Sequence, residues 1–309
     1  MLAHAIAATL HISVLGALHP VALELQPAKG VVLVVETEGR AGILDGERTI
    51  TLTGPARVAG PRGTMARFRL GVPGGVHRDY TGKLEVRPLG YQLLAIVEMD
   101  RETAVAAIVD AEGTPGMPFE ARKAQAVVTR SYLAGAHHRH EGFDFCDNEH
   151  CQLMRDPSAA GSEASQATAM TRGQVLTYRG EVVAALYSAN CGGHTKSLAQ
   201  SYWTGAAIPQ PGYPFYSVAC PLRGHASGHG VGMCQLGAME LARNGYSAAV
   251  IIDHFFPNTS VEMVDRLARK GMEPNPNKTA PVITTAPGRH MDTLGGVRAN
   301  AGRGVRAAT

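Results

Sequence analysis

The segment Gly228-His229-Gly230-Val231-Gly232-Met233-Cys234-Gln235-Leu236-Gly237-Ala238 constrains the chain more than any other. Its four glycines, in ten residues around one His and one Gln, suit neither a regular helix nor a regular strand. Glycine serves where a chain turns sharply or where backbone must lie close to another group. The Gly-His-Gly-Val-Gly alternation leaves His229 the only long side chain among its immediate neighbours, which suits a histidine on the floor of a cleft. The plainer alternative is a Gly-rich turn entering a helix Gln235–Asn244, with His229 exposed. This segment alone leaves both readings open.

A length of 309 residues allows one large domain or two small ones. A net charge of +3 with no basic block gives no reason to expect a nucleic-acid partner. With 36 glycines and 6% aromatic residues, a loop-rich fold containing β-structure is expected over a helical bundle. No apolar run is long enough to span a membrane. The start, Met1 to Leu10, is apolar but brief, and it lacks a Lys/Arg-rich flank and a clear cleavage site, so no signal peptide is expected from it.

Residues 11–100 read as β-structure. Val31–Glu36, Arg48–Leu52, Arg67–Leu70, Lys83–Arg87 and Leu93–Val97 carry apolar or alternating runs, with Gly and Pro turn signals between them. From Asp100 the period changes. A helix is expected over Arg101–Val109 with Asp100 as N-cap, and a longer one over Phe119–Ala136. In the longer helix Gln125 is the polar intruder in an apolar stripe, read either as a hydrogen-bonded core amide or as a substrate contact. Val175–Tyr178 and Val182–Ser188 are expected to pair as a hairpin. Met233–Asn244 and Ser247–Phe256 are expected as the final helices. Residues 271–309 carry no apolar period and are expected to be disordered. The fold class expected is therefore α+β, with β-rich N-terminal strands packed with a mixed helix/strand catalytic core and a loop-rich cleft. The expected organisation is an uncertain segment at 1–10, one domain at 11–270 with its motif-bearing core at 100–260, and the tail.

Glu112 ends an apolar helix and enters a Gly/Pro loop, a position where partial desolvation makes a usable general acid. Asp110 is an equal candidate on the same ground. His140, Cys146, His150 and Cys151 supply two thiolates and two imidazoles, a normal tetrahedral zinc composition. His137 and His138 compete with His140, and a Cys146–Cys151 disulfide or two reduced thiols would explain the same cysteines. The five cysteines cannot all pair within the chain. Cys191 and Cys220 flank one loop region and could join in an oxidising compartment. Cys234 is expected as a free thiol packed like a small hydrophobe.

A second Gly-rich loop, Ser188-Ala189-Asn190-Cys191-Gly192-Gly193-His194-Thr195, carries another histidine. This loop, the Phe119–Tyr132 helix, Glu112, the Cys146–Gln152 loop and the Gly228–Ala238 segment together resemble the stage II sporulation protein D (SpoIID/LytB) family. The motifs occur in the family's order and span about 112 to 257; the last forty or so residues match nothing. The resemblance implies lytic transglycosylation of peptidoglycan glycan strands, with Glu112 in place of the family's catalytic glutamate and Asp110 a local hydrogen-bonding group. One acid would protonate the glycosidic oxygen after N-acetylmuramic acid, and the muramyl C6 hydroxyl would close on C1 to leave a 1,6-anhydro end.

The resemblance also implies a structural zinc, since some members with a Cys-x₄-Cys loop hold zinc beside the active site. It places Ser188, Cys191, Gly193, His194, His229 and Gln235 along the substrate cleft, and Gln125 joins them as a substrate contact on the functional reading of its place in the helix stripe. The family often has Ser where this chain has Cys234. Arg130 either binds a carboxylate or braces the fold, and Tyr202 and Trp203 could stack on a sugar. Export to the cell envelope, a periplasmic or an extracellular space follows from the resemblance alone, as does an association with other cell-wall hydrolases. Two rival readings stand beside it: a zinc-dependent muramyl-peptide amidase, which needs an open metal position, and a non-enzymatic activator of a cell-wall amidase.

Overall fold

The structure is a computed structural model that describes residues 9–136, 140–157, 159–201 and 212–269. The readings made above for His137, His138, Tyr202, Trp203, the first eight residues and the tail at 271–309 lie outside the described residues. The fold is α+β, as the sequence pattern predicts.

The N-terminal part is a curled ten-stranded sheet. Its strands are β1 (Thr9–Val14), β2 (Leu23–Pro27), β3 (Leu33–Thr37), β4 (Arg40–Leu44), β5 (Ile50–Leu52), β6 (Ala56–Ala59), β7 (Ala66–Gly71), β8 (His77–Leu89) and β9 (Gln92–Asp100), joined by β10 (Phe145–Cys146). The long β8 belongs to two ladders: its first half pairs with β7 and its second half with β6 and β9. The change-over falls at Gly82, where a Cβ would lie 2.3 Å from the Glu98 carbonyl oxygen, so only glycine lets the strand fold over there. Thr9 and Leu10, left in the uncertain N-terminal segment by the sequence reading, are the first residues of β1 and pair with Asp100 and Met99.

The sheet runs straight into the helices. Asp100 caps α1 (Arg101–Ala111), its Oδ1 accepting from the N–H groups of Glu102 and Thr103, as its position predicts. α2 (Phe119–Gly135) follows and packs on α1, on α3 (Glu163–Met170) and on the strand β11 (Gln174–Tyr178). The sequence suggests one apolar stripe on α2, yet Ala121 through Ala134 are buried almost all round. The helix is central, and small residues permit that: a Cβ on Gly135 would lie 2.7 Å from the Ala184 backbone N.

β11 pairs with β12 (Glu181–Val182) and with β15 (Ser260–Met263), after which α6 (Val264–Arg269) closes the described chain. The expected second hairpin arm, Val182–Ser188, does not run on as one strand. The Ala185 N–H turns back to the Val183 carbonyl, which breaks the ladder. Tyr187–Ser188 instead forms β13, pairing in parallel with β14 (Met233–Cys234). Met233 and Cys234 are therefore extended, and the helix expected from Met233 begins two residues later as α4 (Gln235–Arg243). Ser247 caps α5 (Ala248–Phe255), and α4 and α5 both pack on α2.

Candidate functional site

Glu112 is the C-cap of α1, with its N–H bonded to the Ile108 carbonyl. Gly113 turns the chain tightly against the helix end; a Cβ there would sit 2.7 Å from the Val109 carbonyl oxygen. The Glu112 side chain is half-buried and its Oε1 accepts the Leu153 N–H at 2.7 Å. Burial pushes the Glu112 carboxyl above the usual carboxylate range, while the Leu153 N–H and the Tyr187 hydroxyl pull it back. Asp110 is exposed. Burial thus separates two carboxylates that spacing alone leaves equal.

Polar groups converge on Glu112 from three other elements. Gln235, the first residue of α4, donates from Nε2 to the Glu112 carbonyl oxygen at 3.0 Å and lies 3.5 Å from Gln125 Oε1. Gln125 is fully buried on α2, and Thr129 lies one turn further along. Tyr187, on β13, directs its hydroxyl towards Glu112 and Thr129. Burial, then the charge of Glu112, keeps that phenol protonated well above its ordinary range, so it is a donor.

Three buried polar atoms of this group complete no well-directed hydrogen bond, Gln125 Nε2, Thr129 Oγ1 and Tyr187 OH, and Ser188 Oγ, next to Tyr187 in the chain, is another. A buried polar group left so costs about 1–3 kcal/mol. Tyr187 faces the Glu112 carboxylate with Thr129 beside it, and Gln125 is joined to the Glu112 backbone through Gln235. Neither Tyr187, Thr129 nor the Leu153 N–H is picked out by the sequence reading. Tyr187 precedes the Ser188–Thr195 loop directly, which is a usable signal; a backbone N–H leaves none.

The Gly-rich segment serves this group from behind. His229 is half-buried, with Nδ1 accepting the Val231 N–H at 3.1 Å and the ring also bonded to the Tyr187 backbone. Burial keeps the imidazole below its ordinary pKa and hence neutral. A Cβ on Gly232, at φ +77°, would lie 2.0 Å from the Leu186 carbonyl oxygen. A Cβ on Gly228 would meet Ser188, and one on Gly230 would meet Lys196. The room left by these glycines is thus taken up by the neighbouring loop, not held open for a sugar. Gly193 accepts the Cys220 N–H through its carbonyl, and His194 is exposed on a bridge to Ala219. Among the described residues, no hydrogen bond joins either of them to the Glu112 group.

Arg130 braces the fold. It is 1% exposed, grips both oxygens of Glu102 at 2.8 and 2.7 Å, and donates to the carbonyls of Ala126, Thr168 and Gln174.

The loop carrying Cys146 and Cys151 is anchored to β1. Asp147 accepts the Leu15 N–H and the Arg78 guanidinium, and β10 pairs with Ile12 and Ser13. His140, Cys146, His150 and Cys151 bring their donor atoms within 4.8 Å of one another. His140 Nε2 is 3.2 Å from Cys151 Sγ, and His150 Nδ1 is 3.7 and 3.6 Å from the two sulfurs. Bond lengths of about 2.3 Å to sulfur and 2.0–2.1 Å to nitrogen put neighbouring tetrahedral donors about 3.6 Å apart, so the set fits zinc. The neighbouring histidines and the second sulfur hold the Cys146 thiol down at about 3, with Cys151 the largest influence. A deprotonated thiol is what a metal ligand needs. All five cysteines are present as thiols.

A cavity of about 490 Å³ opens elsewhere, on the sheet, with Arg57, Lys83, Glu85 and Ile96 among its walls and no residue of the Glu112 group.

Residues 90–178 match the family model of the stage II sporulation protein, SpoIID. The chain carries a SpoIID domain. The domain runs from β9 to the end of β11, so it contains Glu112, Gln125 and all four Cys/His residues. Ser188, Gly193, His194, His229 and Gln235 follow it in the chain. Over 137 residues the chain is also 32% identical to an uncharacterized protein of Brachyspira hyodysenteriae, covering 43% of this chain and 37% of that one. The SpoIID domain points to a cell-wall-related function.

Proposed function

We propose that the protein is a peptidoglycan lytic transglycosylase of the cell envelope, with Glu112 as its acid and base. The observation that supports this most is the half-buried Glu112 carboxyl, raised in pKa by burial, with the Tyr187 hydroxyl and the Leu153 N–H directed at it. Protonated Glu112 gives its proton to the glycosidic oxygen as the bond to C1 of N-acetylmuramic acid breaks. The muramyl C6 hydroxyl then adds to C1 and returns its proton to Glu112. No water is consumed, so the second carboxylate that ordinary glycoside hydrolysis requires is not needed. Tyr187, Gln125, Thr129 and Ser188 offer hydrogen bonds that hold the glycan while this happens.

His140, Cys146, His150 and Cys151 would hold a zinc ion that cross-links the loop behind Glu112. Four protein donors fill a tetrahedral shell, which fits a structural role and leaves no position for the water that an amidase activates.

The test is mass spectrometry of purified peptidoglycan after incubation with the protein. New 1,6-anhydromuramyl ends, absent with Glu112→Gln, support the reading. Plain reducing ends would indicate hydrolysis, released stem peptides an amidase, and no product except with an added amidase an activator; each of these overturns it.

A further inference from the structure

Cys191, Cys220 and Cys234 come from three separate segments, yet their sulfurs lie within 4.8 Å of one another and all three side chains are buried. The Cys/His loop does not include them, and the reaction proposed above does not use them. Cys234 is at the centre. Its Sγ accepts the Cys191 N–H at 3.4 Å and, as N-cap of α4, the Gly237 N–H at 3.3 Å. Two backbone donors on one sulfur at a helix N-terminus favour its thiolate. Accordingly the Cys234 thiol is lowered to about 6, with the Cys220 thiol the largest influence and the backbone donors adding to it, while Cys220 is pushed up. Cys220 and Cys234 flank the same residue: a Cβ on Gly237 would lie 2.4 Å from Cys220 Sγ and 3.4 Å from Cys234 Cβ.

We propose that this cluster is a thiol–disulfide switch in which Cys234 and Cys220 form the disulfide and Cys191 remains the third, exchanging thiol. The oxidant is a disulfide RSSR of the glutathione class. The Cys234 thiolate attacks one of its sulfurs and releases RS⁻, leaving a mixed disulfide on Cys234. The Cys220 thiol gives up its proton and attacks Cys234 Sγ, releasing the second RS⁻. Two protein thiols are oxidised and one RSSR is reduced to two thiols. Cys234 is fully buried beside the two-residue β13–β14 pairing, so an oxidant reaches it when that pairing opens locally.

Oxidation has a structural consequence. A disulfide sulfur carries no negative charge and holds the Cys191 and Gly237 N–H groups poorly. The first turn of α4 then loosens at Gln235, the residue bonded to the Glu112 carbonyl.

The sequence makes the test direct. Cleavage after Lys and Arg puts Cys191 in peptide 180–196, Cys220 in 197–223, Cys234 in 224–243, and both loop cysteines in 140–155. The zinc-loaded full chain is held in reduced/oxidised glutathione buffers, acid-quenched, alkylated and mapped by mass spectrometry. The expected result is a cross-link between 197–223 and 224–243, reversed by reduced glutathione, with faster amide exchange at Gly237 in the oxidised form. Cys191→Ser should keep that link. A link between 180–196 and 197–223 with Cys234 alkylated would overturn the proposal. So would full alkylation of all three cysteines at every buffer ratio, or protection of all three that a metal chelator removes.

Discussion

The Leu153 N–H donates to Glu112 Oε1 at 2.7 Å, from a residue two positions beyond Cys151. The carboxylate is therefore positioned by the same loop that gathers the two cysteines and two histidines. One ion in that loop would fix Glu112 without touching it.

Metal removal tests that link. Metal analysis should find about one zinc per chain, as four protein donors imply. Chelation, or Cys146→Ser, should speed amide exchange at Leu153 and lower turnover, with the sheet still folded. If Leu153 stays equally protected without metal, the loop holds itself and the ion has another purpose.

Glu112→Gln should reduce formation of anhydromuramyl ends by at least ~10²-fold, the scale of a lost general acid. It should also stabilise the fold. Burial raises the folded pKa of Glu112, so its contribution is complete below the unfolded pKa and is lost as pH rises through the folded one. Above its folded pKa the charged carboxylate works against folding, and the amide relieves it. A melting temperature higher by roughly a few degrees at pH 7, with the gain vanishing in acid, is the expected signature. A lower melting temperature at pH 7 would contradict the buried-acid description.

Tyr187→Phe removes the hydroxyl that pulls the Glu112 pKa down. The Glu112 pKa should then rise, moving the basic limb of the pH–rate profile to higher pH. Turnover should fall by roughly ten- to a hundredfold, the worth of a hydrogen bond to a charged group. An unmoved basic limb would mean that Tyr187 does not sense Glu112.

Arg130→Met should unfold the protein or cost it about 3–5 kcal/mol, because Glu102 would be left half-buried without its partner. Denaturant unfolding measures it. A loss under 1 kcal/mol would mean that the pair is as weak as a surface one.

What the sequence showed and what it hid divide along physical lines. Asp100 as cap, the two helices after it and the Cys/His set were legible because capping and ligand chemistry are local. The choice between Glu112 and Asp110 was not, since it rests on burial that α2, β13 and the Cys/His loop create together. Val182–Ser188 looked like one strand because its residues suit β-structure, but Gly135 on α2 lets Ala184 come close and the arm bends away. The Gly-rich segment is legible as a place of close backbone approach, but its neighbours are not: the glycines at 228, 230 and 232 make room for Ser188, Lys196 and Leu186, which come from a distant part of the sequence.

His229 is the residue on which those glycines bear. Its ring bonds the Val231 N–H and the Tyr187 backbone, so it ties the Gly-rich segment to the strand that aims Tyr187 at Glu112. His229→Ala should lose about 1–3 kcal/mol of stability, the cost of unpaired backbone groups. Turnover should fall while KM stays unchanged, since the effect passes through Tyr187. The acid side carries a second mark. The folded pKa of His229 is depressed, so its contribution is present above the unfolded pKa and is lost as pH falls through the folded one. The variant should therefore match the parent protein more closely in mild acid than at pH 7. A raised KM with an unchanged melting temperature would make His229 a direct contact to the glycan instead.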